Sequence, residues 1–171
     1  RMGKKGEPDV HGRTLNAYEI STPIKLTDGE DVCLIGSGTL LPEVVKAAEL
    51  LSEKGVSSSV YSLPQIKPLP AIELLNIFSE YPVVAVFEEH SLAGGLSSAC
   101  AELLVDHQIA GTKLLRFGIP DTFYKKSGSQ SFARDYLGLT ASHFVQKIIN
   151  TLSGHKNENT RSHSSADKKA T

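Results

Sequence analysis

Four times along this chain a short run rich in β-branched and apolar residues is cut off by Gly, Pro or an acidic pair, and a stretch with apolar residues at helical spacing follows. The first run is "DVCLIGSG" (Asp31 to Gly38), and after it "LPEVVKAAELLSEKG" repeats Val44, Val45, Ala48 and Leu51 on one face, with Gly55 as the stop signal past a helix. "SSSVYSL" (Ser57 to Leu63) then precedes "PAIELLNIFSEY", which opens on Pro70. "VVAVFEE" (Val83 to Glu89) precedes "GGLSSACAELLVDH", and "TKLLRFG" (Thr112 to Gly118) is the fourth run. Two closing helices are expected at "SQSFARDYLG" and at "TASHFVQKIINTLS", where Phe144, Val145, Ile148, Ile149 and Leu152 form one stripe. An earlier segment, "LNAYEIST" (Leu15 to Thr22), adds an expected edge strand and brings the count to five. Strands alternating with helices at this spacing need right-handed crossovers, so the fold class is α/β: a mostly parallel five-stranded sheet between helix layers.

The remaining composition narrows the function classes. At 171 residues the chain suits one domain, and a formal net charge of −1 gives no broad field to attract nucleic acid or an anionic membrane. No apolar run reaches the roughly 18 residues that span a bilayer, and "RMGKKGEPDVHG" lacks the apolar centre of a signal peptide. Cys33 and Cys100 lie in apolar patterns without a CxxC or Cys/His cluster, as buried thiols of a reducing compartment do, so the expected location is cytoplasmic. From Gly154 onward nothing apolar is larger than Ala166, and residues 154–171 are expected to be a disordered tail. At the other end, Arg1 stands where a methionine would open a complete chain, which fits a fragment of something longer.

In a sheet of this kind ligands gather beyond the carboxyl ends of the strands. Those ends would be Gly36-Ser37-Gly38, Leu63-Pro64-Gln65, Glu88-Glu89-His90 and Gly118 to Asp121. "GSGTLL" has two glycines of a dinucleotide fingerprint but Leu41 in place of the third, so a tight strand-to-helix turn accounts for it better. Asp121 after Pro120 suits a turn or a helix cap. Glu88 and Glu89 are neighbours, so continued strand geometry sends them to opposite faces, one of them toward the cleft. His90 follows with a ring that can accept or release a proton near neutral pH, and Gly94-Gly95 permit a close turn into the next helix. A catalytic loop and a subunit contact remain equally open for this stretch. No nucleophile elbow, metal-ligand set or phosphate-binding P-loop is present in the sequence.

Taken in order, these motifs resemble the C-terminal domain of the transketolase family. "VFEEHSLAGGLSSACAELL" is similar to the family segment in which a strand ends in a polar pair before a glycine-led helix. "VCLIGSGTLLPEVVKAAELLSEKGVSSSVYSLPQIKPL" resembles its first crossover, and "LLRFGIPDTFYKKSGSQSFARDYLGLTASHFVQKI" its closing segment. "RMGKKGEPDVH" resembles the end of the preceding pyrimidine-binding domain and its linker. In the deoxyxylulose-phosphate synthase branch an arginine at the place of Arg1 lies near the sugar phosphate. Met2-Gly3 stand here for that branch's Tyr-Pro, and Lys4 for its second arginine. "EEH" followed by "GGL" is nearer the split-subunit transketolases.

The resemblance carries a set of expectations. The fold would be a three-layer α/β/α domain over residues 15–153, with one edge strand antiparallel, and residues 1–14 would close the preceding domain. The whole enzyme would use thiamine diphosphate and Mg to transfer two-carbon units, with both groups bound by domains outside this chain and none bound here. This domain would support assembly and border the substrate entrance, inactive alone, as a homo-oligomer or beside a companion thiamine-binding subunit. Its candidate residues toward a sugar-phosphate substrate are Arg1, Glu89 and His90, with His90 the candidate for catalysis. Two alternatives belong to other classes: a stand-alone module that binds a small anion or nucleotide at the Gly36–Gly38 turn, and a partner-docking domain.

Overall fold

The computed structural model describes residues 9–16 and 19–167, with side chains described as far as Gly154. Five strands make one sheet: β1 (Ile24–Thr27), β2 (Val32–Gly36), β3 (Ser58–Ser62), β4 (Val83–Ser91) and β5 (Lys113–Ile119). Their order is β1-β3-β2-β4-β5; β2, β3, β4 and β5 run parallel, and β1 pairs antiparallel with β3 along one edge. The helices are α1 (Leu41–Ser52), α2 (Ala71–Glu80), α3 (Leu96–Asp106), α4 (Gln130–Tyr136) and α5 (Ala141–Asp167).

Every residue of β2 and β3 is buried, as expected of strands covered on both faces. Period-2 alternation divides the strand side chains between two cores. Val32, Leu34, Val83, Ala85, Phe87, Leu115 and Phe117 point toward α1 and α5, while Cys33, Ile35, Tyr61, Val84 and Val86 point toward α2 and α3. On the first side Phe87 stacks on Phe117 at 4.7 Å between ring centroids, and Phe144 of α5 meets both rings at 4.6 and 5.0 Å. Phe144 and Ile148 are fully buried, with Ile149 and Leu152 packed at the margin, so the apolar stripe expected for the last helix is what seats it.

One boundary differs from the sequence reading. The edge strand is not Leu15–Thr22, since Glu19–Ser21 form a 3-10 turn and the strand begins after Pro23 at Ile24. "IKLT" alternates half-buried and exposed positions as an edge strand must, and Thr27 Oγ1 donates to the Ser58 carbonyl at 3.1 Å. The backbone of α5 runs helically to Asp167, past the apolar stripe that seats its first half. Extending a nucleated helix fixes one residue per hydrogen bond gained, a lower cost than starting one.

Candidate functional site

The carboxyl end of β4 is where chain direction, charge and glycine content converge. Strand alternation sends Glu88 and Glu89 to opposite faces of the sheet, as expected from their adjacency. Glu88, only 4% exposed, turns toward α3 and accepts from the Leu96 N–H at 2.6 Å and the Ser97 N–H at 2.9 Å. These belong to the first turn of α3, where N–H groups lack partners within the helix and the dipole favours a negative charge. The carboxylate thus caps a helix from a neighbouring strand. Gly95 is required by that approach, because a Cβ there would lie 2.1 Å from Glu88 Oε2 and 2.5 Å from the Ser91 carbonyl oxygen. Arg116 of β5 braces the same corner, donating to Ser97 Oγ and Ser98 Oγ, both at 3.1 Å, and to the Leu92 carbonyl.

Glu89 lies on the other face and is engaged just as fully. Arg134 of α4 pairs with it at 2.6 Å through Nη2 and 3.2 Å through Nε, and Gln130 Nε2 donates to both carboxylate oxygens at 3.0 Å. Thr39, in the turn after β2, donates its hydroxyl to the same carboxylate, and its carbonyl accepts from Arg134 Nη2 at 2.8 Å. Burial pushes the Glu89 carboxyl up, but Arg134, Thr39 and Gln130 together outweigh it and hold the group below its ordinary value. The pair is well shielded, with side chains 17% and 22% exposed. Glu89 therefore ties three separate elements together as an anion.

That arrangement also answers for the glycine turn. Leu41, the residue standing in place of a third fingerprint glycine, packs on Gly36, where a Cβ would come within 2.8 Å of its Cδ1. The hydroxyl of Thr39 that would greet an incoming phosphate is already given to the Glu89 carboxylate.

His90 is exposed at the end of β4, its Nδ1 3.3 Å from the Ser91 carbonyl oxygen. Arg1 lies outside the described residues, so of the three candidates only Glu89 and His90 are seen, and they are adjacent. The 120–136 segment, which supplies Gln130 and Arg134 to Glu89, exposes Phe123 (93%), Tyr124, Phe132 and Tyr136, with Tyr124 against Tyr136 and Phe132 against Tyr136 at 5.8 and 6.5 Å between ring centroids. Among the described residues no three His, Cys, Asp or Glu side chains converge as metal ligands, and both carboxylates at the sheet edge are spent on protein donors. Neither of these two carboxylates is free to hold the Mg ion of thiamine diphosphate.

Sequence reasoning missed Arg134, Gln130 and Thr39. One local signal was available for α4, since Ser129 caps it by accepting from the Phe132 N–H at 3.2 Å, but nothing local pairs residue 134 with residue 89. Both cysteines are free and buried in the α2–α3 core. Burial raises both thiols, Cys100 to about 12. Among the described residues no helix is long and apolar enough to cross a membrane.

Comparison with known proteins agrees with this geometry. The family model "Transketolase, C-terminal domain" matches residues 23–144. A 1-deoxy-D-xylulose-5-phosphate synthase of Natranaerobius thermophilus is 30% identical over 157 residues, covering 88% of this chain and 25% of the relative. A Methanocaldococcus jannaschii protein named as a transketolase C-terminal section is 33% identical over 135 residues, covering 79% of this chain and 41% of the relative. Among solved structures, a split-gene transketolase described as an inactive beta4 tetramer superposes with a TM-score of 0.76 at 26% identity, over 86% of this chain and 47% of that one. The chain thus spans less than half the length of each of these relatives. It belongs to the transketolase C-terminal domain family.

Proposed function

We propose that this chain is the C-terminal part of a thiamine-diphosphate-dependent, transketolase-like transferase, serving assembly and bordering the substrate entrance without turning over substrate by itself. The observation that carries the proposal is the full engagement of Glu88 and Glu89: the polar groups at the ligand-binding edge of the sheet hold helices and turns in place. Thiamine diphosphate and Mg would be bound by a companion subunit or by domains of the same polypeptide, within a homo-oligomer or a mixed assembly. The exposed aromatic side chains of residues 120–136 are suited to that contact, since aromatic anchors dominate interface energetics. Residues 15–153 would form the folding unit, and His90, exposed beside the Glu89 cluster, would face a sugar phosphate at the entrance. Two buried, free thiols agree with a cytoplasmic location.

The test is a ketol-transfer assay with thiamine diphosphate and Mg ion, run on the 171-residue chain and on the whole enzyme from the source cells. Transfer by the whole enzyme and none by the chain is expected; turnover by the chain alone overturns the proposal. In the whole enzyme His90→Ala should raise KM for the sugar phosphate, and unchanged kinetics with unchanged stability would remove His90 from the site.

A further inference from the structure

The outer edge of β5 is an unpaired strand edge among the described residues. Its backbone phase follows from its two ends: the Lys113 N–H donates to the Pro82 carbonyl at 2.8 Å, and the Ile119 carbonyl accepts from the Leu92 N–H at 2.9 Å. Alternate residues of a parallel strand face the same neighbour, so Lys113, Leu115, Phe117 and Ile119 bond toward β4. Leu114, Arg116 and Gly118 then aim their N–H and C=O groups away from the sheet.

A hollow of about 680 Å³ lies there, lined by Arg116 and Phe117 together with residues of α5. Arg116 and Phe117 are consecutive in a strand, so their side chains leave opposite faces. The hollow also takes in Lys113, Gly118 and Pro120, so it follows β5 from its first residue to just past its end. Its walls carry Lys113, Arg116, Lys147 and His143, and no Asp or Glu is among its described lining residues. The whole chain has 18 Lys and Arg against 19 Asp and Glu, so this local excess of cations is not a reflection of overall charge. Lys113 and Lys147 are exposed, on the α5 face of β5, where Lys147 Nζ sits 4.9 Å over the Phe117 ring.

The geometry points to a docking trough in which an extended, acidic segment of another polypeptide adds to the sheet as a strand beside β5. Its backbone meets the outward groups of Leu114, Arg116 and Gly118, and its carboxylates, on one face of the added strand, meet Lys113 and Lys147. A second copy of this chain is the poorer occupant. A two-fold pairing that uses all of β5 sets Arg116 opposite Arg116, and like charges directly opposed destabilise a sheet. This inference stands apart from the proposed transferase role and does not depend on it.

The probe is a synthetic peptide of about ten residues, the span of a long strand, alternating Glu and Val. Two controls accompany it: an alternating Lys and Val peptide, and the Glu–Val peptide N-methylated throughout, which keeps the charge and loses every backbone donor. Calorimetry and amide exchange on the 171-residue chain should find binding of the Glu–Val peptide alone, with new protection at Leu114, Arg116 and Gly118. Lys113→Glu combined with Lys147→Glu, both at exposed positions, should weaken that binding about tenfold while far-UV dichroism stays unchanged. Absence of binding at millimolar peptide, equal binding of the Lys–Val peptide, or survival of binding after N-methylation each overturns the proposal. Displacement of the peptide by inorganic phosphate without amide protection also overturns it, by reducing the trough to an anion patch. So does protection of the three amides in the free chain that grows with protein concentration, which would assign the edge to a second copy.

Discussion

Glu88→Gln changes one atom of a buried side chain and tests whether the strand-end carboxylate holds the start of α3. Both carboxylate oxygens accept a helix N–H, at 2.6 and 2.9 Å, in a side chain only 4% exposed. Glutamine keeps one acceptor and places an NH2 where the other stood, so either amide orientation sets a donor against a donor. Losing one charge-assisted bond at a buried N–H costs about 1.5–3 kcal/mol. Removing the negative charge from the helix N-terminus adds about 0.3–1 kcal/mol. The expected destabilisation is therefore about 2–4 kcal/mol, a large share of the roughly 5–15 kcal/mol that holds a domain folded. Urea unfolding at pH 7 should show it as a lower midpoint with unchanged slope, and each kcal/mol should lower Tm by about 2–4 °C. Amide exchange at Leu96 and Ser97 should quicken relative to the rest of α3. A loss under about 1 kcal/mol, with exchange at those two amides unaltered, would refute the claim that this carboxylate caps the helix.

Gly95→Ala drives a methyl group into the same carboxylate and the Ser91 carbonyl, so it should cost at least about 2 kcal/mol in the same unfolding assay. Arg134→Ala leaves the Glu89 anion to Thr39 and Gln130 and should cost about 1–2 kcal/mol at pH 7 after allowing for the solvent at this sheet edge. Because folding lowers the Glu89 pKa, its contribution is complete above the unfolded carboxylate value and is lost as pH falls through the folded one. Urea midpoints compared at pH 7, about 5 and about 3 should accordingly drop less in the Arg134→Ala variant than in the native chain across the acid step. Cys33 and Cys100 should resist an aromatic disulfide reagent at pH 8 in the folded chain and react fully in denaturant; fast reaction of either thiol in the native state would contradict their burial. Phe123→Asp, at a side chain 93% exposed, should change stability by less than about 0.5 kcal/mol while weakening assembly of the whole enzyme, read by sedimentation.

The order of strands and helices was legible in the residues alone because it rests on short-range periodicity. Val83 to Phe87 can bury both faces only as a central strand, and the Phe144 to Leu152 stripe can seat only as a helix. Even the opposite outlooks of Glu88 and Glu89 follow from strand geometry. The edge strand was misplaced because Leu15 to Thr22 and Ile24 to Thr27 are both short and weakly patterned, and pairing with β3 selected between them. What the carboxylates do was decided by the tertiary structure. Glu88 meets a helix start eight residues on, while Glu89 meets Thr39 and Arg134, separated from it by 50 and 45 positions. The cationic trough beside β5 has the same origin, with Lys113 and Lys147 brought together by the packing of α5 on the sheet. Periodicity along a chain reports which face of an element is buried, whereas the partners of a polar group are set by crossovers that bring distant segments to one edge, and no local pattern records that distance.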